Sequence, residues 1–220
     1  TYEACLFFNA ITGFSTIPNL SILTMAPTLL KARLLSMIER EIEIAKAGGT
    51  AKIIAKSNAI SDPDVIKALY RASNAGVKIQ LNIRGICMLV PGVKGQSENI
   101  EVVSVVGRYL EHSRVYYFRN NGKEELFLAS ADLMSRNLEK RIELMFKILD
   151  GEQCERIKSV LDLYFKDTMQ SHRLLRDGSY QRISGKEKIN SQEEFYKESK
   201  AYAKSLASRK SELRIRRRKS

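Results

Sequence analysis

The sequence predicts an α/β protein, a mixed sheet with helices on its faces, and three patterns carry that expectation. Residues 29–47 hold an apolar stripe at 3.6-residue spacing, residues 77–84 alternate strictly between apolar and polar side chains, and four short strand-like segments follow between residues 100 and 148. Strand–helix alternation that gives way to strands in series is the pattern of a mixed sheet covered by helices.

The elements follow in order. In LLKARLLSMIEREIEIAKA, residues 29–47, Leu30, Leu34, Met37, Ile38, Ile42 and Ala45 fall on one helical face, and Gly48-Gly49 ends the helix. A strand runs from Ala51 to Lys56, and Ser61-Asp62-Pro63-Asp64 offers an N-cap and an early proline for a second helix through Ala75. In 77–84, Val77, Ile79, Leu81 and Ile83 face one way, with Lys78, Gln80, Asn82 and Arg84 opposite, so the polar face of this strand ends in an arginine. Gly85 to Asn99 is a loop punctuated by glycine and proline, and strands follow at 100–106, 114–119, 125–130 and 141–148. In the last, Ile142, Leu144, Phe146 and Ile148 share one face and Arg141, Glu143, Met145 and Lys147 the other. Residues 152–170 read as a helix with His172 near its end, Asp177-Gly178-Ser179 as a turn, and Gln192 to about Arg209 as a long polar helix.

With 220 residues, 44% of them hydrophobic, the chain can bury one sizeable core with an appended helical segment. Cys5, Cys87 and Cys154 stand far apart, outside any metal-ligand spacing, which argues against a disulfide framework or structural zinc and for a reducing, cytoplasmic setting. No apolar run reaches the roughly 18–20 residues that span a bilayer, and no cleavable leader is evident. The opening Thr1-Tyr2-Glu3, without an initiator methionine, suggests a piece of something longer. Of the net charge of +12, half comes from residues 209–220, which carry seven bases and one acid; the remaining +6 is spread over the body, a bias toward anionic partners.

The densest polar grouping is Arg108, Glu111, His112, Arg114, Asp132, Arg136, Asn137, Arg141 and Glu143. Arginine holds phosphate oxygens with a permanently charged planar fork, and histidine works near neutral pH as nucleophile, acid or base, so phosphate chemistry is a natural reading. Structural histidines and solvated ion pairs are the plainer reading of the same residues, and His172 has only that one. Neither a GxxxxGK[ST] phosphate loop nor a GxGxxG turn occurs, so any phosphate site here must be built from side chains.

The segments IIAKSN (53–58), GVKIQLNIRGICMLVPGVKGQSENI (76–100), VVGRYLEHSRVYYF (105–118) and SADLMSRNLEKRIELMF (130–146) resemble, almost without gaps from about Phe8 to Tyr180, the C-terminal half of the polyphosphate kinase family. The resemblance implies a phospholipase D-like mixed sheet with flanking helices. It implies division into 1–18 as the end of a preceding catalytic domain, 19–180 as the family's C-terminal phospholipase D-like domain, and 181–220 as a helical basic tail. His112-Ser113-Arg114 stands where phospholipase D relatives carry HxK, and Ala129-Ser130-Ala131-Asp132 where they carry a GSxN-like segment; Leu133 replaces an aromatic residue and Lys147 a proline common in the family. By the same resemblance the whole enzyme moves the terminal phosphate of ATP reversibly through an upstream phosphohistidine, absent here, to inorganic polyphosphate, with Mg²⁺ bound mainly by residues outside this chain.

Carried over residue by residue, Arg84 and His112 are nucleotide-phosphate contacts, with His112 also an acid-base partner to the missing phosphohistidine. Arg114, Arg136 and Arg141 are further cationic contacts and Lys56 and Asn58 weaker ones; Asp132 and Glu143, from their chemistry and position, are read as groups that orient His112 or an arginine, and no metal ligand is assigned. The implied partners are ATP or ADP and polyphosphate, a homo-oligomer in the full-length protein, and no specific nucleic acid. Two other classes compete. A non-catalytic polyanion- or nucleic-acid-binding module would use the body charge and the basic tail. A phospholipase D-like phosphodiesterase needs two histidine motifs where this chain supplies one.

Overall fold

A computed structural model describes residues 2–14, 16 and 20–212, with side chains to residue 206. Helix α1 (Tyr2–Ile11) precedes strand β1 (Leu23–Ala26), helix α2 (Leu30–Lys46), strand β2 (Lys52–Ser57), helix α3 (Pro63–Asn74) and strands β3 (Lys78–Ile83), β4 (Ile100–Val105), β5 (Arg114–Phe118) and β6 (Glu125–Ala129). Helix α4 (Ser135–Glu139), strand β7 (Glu143–Lys147), helix α5 (Gly151–Lys166), strands β8 (Ser171–Leu174) and β9 (Tyr180–Arg182) and helix α6 (Ser191–Glu212) complete the order. All the strands join one sheet, β1-β7-β6-β5-β2-β3-β4-β8-β9, in which β2–β3 and β3–β4 are parallel and every other pair antiparallel. The α/β class therefore holds, with the parallel pairs falling where helix α3 and the long 85–99 loop provide crossovers.

Both faces of the sheet are covered. Leu34, Ile38 and Ile42 of α2 and Val65, Leu69 and Ala72 of α3 pack on Ile53, Ile79, Leu81, Tyr116 and Phe127, forming the main core. On the opposite face Leu161 of α5, with Ile157 and Phe165, packs on Ile54, Val115, Tyr117 and Leu126. Central strand β2 thus buries side chains in both directions, and its run of Ile53, Ile54 and Ala55 reads as continuously apolar for that reason. Helix α3 starts where the N-cap residue Asp62 accepts hydrogen bonds from the backbone N–H groups of Asp64 and Val65, both at 3.1 Å, with Pro63 in the first helical position.

Two expectations need correction, on His172 and on the end of helix α5, and two others hold with an addition. His172 lies in β8, paired with Ser104 and Arg182, not near a helix end. Helix α5 stops at Lys166 because Asp167 turns extended and its Oδ1 accepts from the N–H groups of Met169 and Gln170, freeing residues 171–174 to add a strand. The Asp177-Gly178-Ser179 turn accordingly joins two strands, β8 and β9, that period-two reasoning did not find. In β7 the alternation is correct, but Glu143 and Met145 point into the deeper core while Ile142 is exposed, since the sheet's main core lies on their side. Strand β1 and the short helices α1 and α4 were also unanticipated. The charged segment 213–220 lies outside the described residues, and among those described no helix is long and apolar enough to cross a membrane.

Candidate functional site

Parallel strands β2 and β3 end side by side, Ser57 opposite Ile83, and antiparallel β5 begins at the same edge with Val115 opposite Lys56. The polar ends of all three strands converge there, at the carboxyl ends of the parallel pair, where open α/β sheets bind ligands. The loops beyond are tied together by main-chain bonds. Ile60 bridges both Cys87 and Leu133, and the Gly85 N–H donates to the Asn58 carbonyl at 2.9 Å. A Cβ on Gly85 would lie 2.8 Å from that carbonyl oxygen, so only glycine lets the strand that delivers Arg84 pass this close to Asn58.

Asp132 is the hub. It is 8% exposed; its Oδ1 accepts from the Asn58 N–H at 2.7 Å, the Ser57 hydroxyl at 2.8 Å and Arg114 Nε at 3.1 Å, and its Oδ2 accepts from Arg114 Nη2 at 2.9 Å. Burial alone would raise the Asp132 carboxyl, but these donors, the Arg114 guanidinium foremost, hold it down at about 2. The fork of Arg114 thus has one edge occupied by Asp132, and its Nη1 reaches back 3.0 Å to Nδ1 of His112 and 2.9 Å to the His112 carbonyl. Arg114 Nη2 also lies 3.3 Å from Nε2 of the same ring, so the guanidinium faces both ring nitrogens of an exposed imidazole. Tyr116, buried in β5, donates from its hydroxyl to the Ala131 carbonyl at 2.7 Å and steadies the residue preceding the hub.

Asn58 passes the order on to Arg84, accepting from Arg84 Nε at 2.6 Å. Arg84 is half-buried, and no carboxylate pairs with it among the described residues, so both Nη groups are open for an oxyanion. Lys56 is the contrary case. It is 4% exposed, 3.3 Å from Glu111 Oε2 and 3.3 Å from the Ser113 carbonyl, with its ammonium over the Tyr164 ring. Burial depresses its pKa, partly offset by Glu111, while Arg84 and Arg114 depress it further.

Lys56, Asn58, Arg84, His112, Arg114 and Asp132 therefore form one linked assembly. Arg136, exposed on α4, and Arg141, 3.6 Å from Glu143, make no hydrogen bond to it. Glu143 accepts from the Ser130 hydroxyl and touches neither His112 nor Arg114 directly, although its charge adds to the field on Arg114. Sequence reasoning gave no role to Glu111, Tyr164 and Gln192. The Tyr164 hydroxyl donates to Glu111 Oε2, and buried Gln192 donates from Nε2 to Glu111 Oε1 at 2.8 Å and to the Tyr109 carbonyl at 2.9 Å, while accepting from the Tyr109 N–H at 2.9 Å. Burial and the Glu111 carboxylate raise the Tyr164 hydroxyl well above its usual range. With Phe195 and Tyr196 these groups wall a cleft of about 380 Å³ beside His112. Tyr164 and Gln192 come from helices 52 and 80 residues downstream of His112, and no local pattern announces them.

The arrangement suits anion binding better than metal binding. Among the described residues no three His, Cys, Asp or Glu side chains converge as a metal site, and Asp132 and Glu111, the two carboxylates in the assembly, already face cations. The residues present do not fit a resident magnesium ion.

A family described as Polyphosphate kinase C-terminal domain 2 matches residues 23–192. A polyphosphate kinase of Rhodopirellula baltica is 50% identical over 181 residues, covering 82% of this chain and 21% of the relative; one from Bacillus anthracis is 46% identical over 197 residues, covering 89% of this chain and 28% of that one. The chain thus spans about a quarter of the length of these relatives. The crystal structure of a polyphosphate kinase from Porphyromonas gingivalis superposes with a TM-score of 0.88 at 36% identity, covering 92% of this chain and 32% of that one. A phospholipase D family member from Salmonella typhimurium, at 16% identity and a TM-score of 0.52 over 70% of this chain and 96% of its own, shares the fold.

Proposed function

The chain belongs to the polyphosphate kinase family, as its C-terminal domain 2, and from that premise we propose that it supplies the anion-holding part of an ATP:polyphosphate phosphotransferase site. In this reading the terminal phosphate of ATP passes reversibly through a phosphohistidine on a part of the protein outside this chain to the end of a polyphosphate. Arg84 and His112 meet the phosphates being transferred, and Arg114 and Lys56 add positive charge around them. Mg²⁺, which would offset phosphate charge, would be held by groups outside this chain. The reaction belongs in the cytoplasm, where the nucleotide is, and the full-length protein works as a homo-oligomer.

The observation that carries the proposal is the state of Arg84: steered through Nε by Asn58 and, among the described residues, free at both Nη groups and without a carboxylate partner. A half-buried guanidinium pre-aimed in this way holds a phosphate at little further ordering cost. His112, exposed on the adjoining edge with Arg114 across it, supplies an imidazole beside it.

Equilibrium titration of this chain with ATP, ADP and long-chain polyphosphate at fixed salt tests the reading. Arg84→Ala should weaken binding roughly tenfold to a hundredfold, the loss of a hydrogen bond to a charged group, whereas Arg136→Ala should leave it within about twofold as an exposed surface change. If Arg84→Ala has no effect, RNA competes equally with polyphosphate, and neutralising Arg214, Arg216, Arg217 and Arg218 abolishes binding, the chain is a generic polyanion binder and the proposal fails.

A further inference from the structure

The opposite ends of β2 and β3 carry a second cationic feature. Lys52 and Lys78 are register partners in the parallel pair, so their side chains leave the same face of the sheet one strand spacing apart, about 4.8 Å. Like charges placed side by side on a sheet repel. Most basic residues around the sheet are answered by an acid: Arg40 and Lys147 by Glu125, Lys56 by Glu111, Arg114 by Asp132 and Arg173 by Glu101. Among the described residues Lys52 and Lys78 have no such partner within 4 Å.

Lys52 and Lys78 both line two hollows. One, of about 630 Å³, is also lined by Tyr117, Arg119, Lys158 and the carboxylate of Asp162. Arg119 and Lys158 share Glu124, and Lys158 also pairs with Glu155 at 3.0 Å, which leaves Lys52 and Lys78 facing the one carboxylate of Asp162, with no ion pair formed within 4 Å among the described residues. The other, of about 520 Å³, meets Glu98 and Glu101, of which Glu101 is already engaged by Arg173 at 2.9 Å and Gln80 at 3.3 Å. Two like charges side by side that form no ion pair are stabilised by an anion that meets both.

We propose that Lys52 and Lys78 form a second contact for a long phosphate polymer, apart from the Arg84 site and served by the same face of the sheet. The inference rests on the phosphotransferase reading above. Lys78 and Arg84 lie six residues apart with side chains on one face, about 20 Å along an extended strand. A triphosphate seated at Arg84 is too short to reach the lysines, whereas a long linear polyanion reaches both. The lysine pair therefore distinguishes a polymer from a nucleotide by length.

The test compares long-chain inorganic polyphosphate with tripolyphosphate on the unaltered chain, on a Lys52→Gln/Lys78→Gln double variant and on Arg84→Ala, titrating each across a salt series. The double variant should lose about tenfold in affinity for the long polymer and flatten its log–log salt slope by about one to two, the signature of two fewer ion contacts. Its affinity for tripolyphosphate should stay within about twofold. Arg84→Ala should weaken both probes. Lys78→Gln alone, at an exposed position, repeats the measurement with smaller amplitude if the double variant folds poorly. If the double variant binds the long polymer as tightly as the unaltered chain while Arg84→Ala weakens it, the second contact is refuted and the Arg84 site stands. Equal loss for both probes also refutes it, since the lysines would then act only as a diffuse field. If the unaltered chain binds no polyphosphate, both readings fall together.

Discussion

The two ends of strand β2 solve the same electrostatic problem in opposite ways. At its carboxyl end the cations are built in: Arg114 is clamped by Asp132, Lys56 is buried against Glu111, and Arg84 is aimed by Asn58. At its amino end Lys52 and Lys78 form no ion pair among the described residues and line open hollows. A fixed network holds groups where charge changes during a reaction, because the ordering cost is met on folding and the geometry does not relax. Unpaired lysines on long flexible stems attract a polyanion without fixing its orientation. The first end is fitted to chemistry, the second to retention, and substitutions at the two ends should differ in kind as well as in size.

The largest effect belongs to the hub. Asp132→Asn keeps the shape but removes the charge that answers Arg114, and an ion pair broken from one side at this burial costs about 3 kcal/mol. Urea denaturation at neutral pH reads that loss directly. The same variant fixes a pH signature. The Asp132 carboxyl is depressed to about 2 from an ordinary 3.8, so its contribution is complete above about pH 4 and is lost as pH falls through about 2. At 1.36 kcal/mol per pKa unit that contribution is about 2 kcal/mol. The unaltered chain should lose it on acidification between those limits, and Asp132→Asn should lack that component. An acid limb identical in both proteins would show that the network does not hold the carboxylate ionised.

Gly85→Ala comes next. The added methyl meets the Asn58 carbonyl at 2.8 Å, and backbone cannot yield as a side-chain tip does, so strain of about 1–3 kcal/mol is expected. Because Asn58 both touches the hub and steers Arg84, the substitution should weaken phosphate binding along with stability. Loss of stability with unaltered binding would uncouple the loop stack from the site.

The same contrast explains what the sequence made legible. The α2 and α3 stripes, the Asp62-Pro63 cap and the alternation that ends in Arg84 are local patterns, readable because helix and strand periods are set by neighbouring residues. Asp132 is grouped by its chemistry and position and Arg84, Asn58, His112 and Arg114 by resemblance, and the structure links them because β2, β3 and β5 end at one edge. Arg136 and Arg141 were grouped by the same route, yet they lie on α4 and before β7, and β7 sits between β6 and β1. Glu111 was visible beside His112 but gained its meaning only from Tyr164 and Gln192, contributed by helices far along the chain. Strands β8 and β9 escaped notice because SHRL and YQR are too short and too polar to show a period; β8 is a strand by virtue of the open edge of β4.

The smallest effect lies at the amino end, where it is the most discriminating. With no ion-pair partner among the described residues, the Lys78 side chain adds mainly repulsion with Lys52, so Lys78→Gln should shift unfolding free energy by no more than about 0.5 kcal/mol, in the stabilising direction. The repulsion is between solvent-facing groups and is screened by salt, so any gain measured at low ionic strength should fade as the Debye length falls toward about 3 Å near 1 M. Denaturation curves of the two proteins at low and high salt decide the matter. A destabilisation of about 1 kcal/mol or more would mean that Lys78 is engaged in the folded chain after all, like Lys56 at the other end, and the contrast between a built site and a bare one would collapse. A small, salt-sensitive gain would instead mark a charge kept despite its cost to the fold, which is the expected behaviour of a residue whose partner arrives from outside.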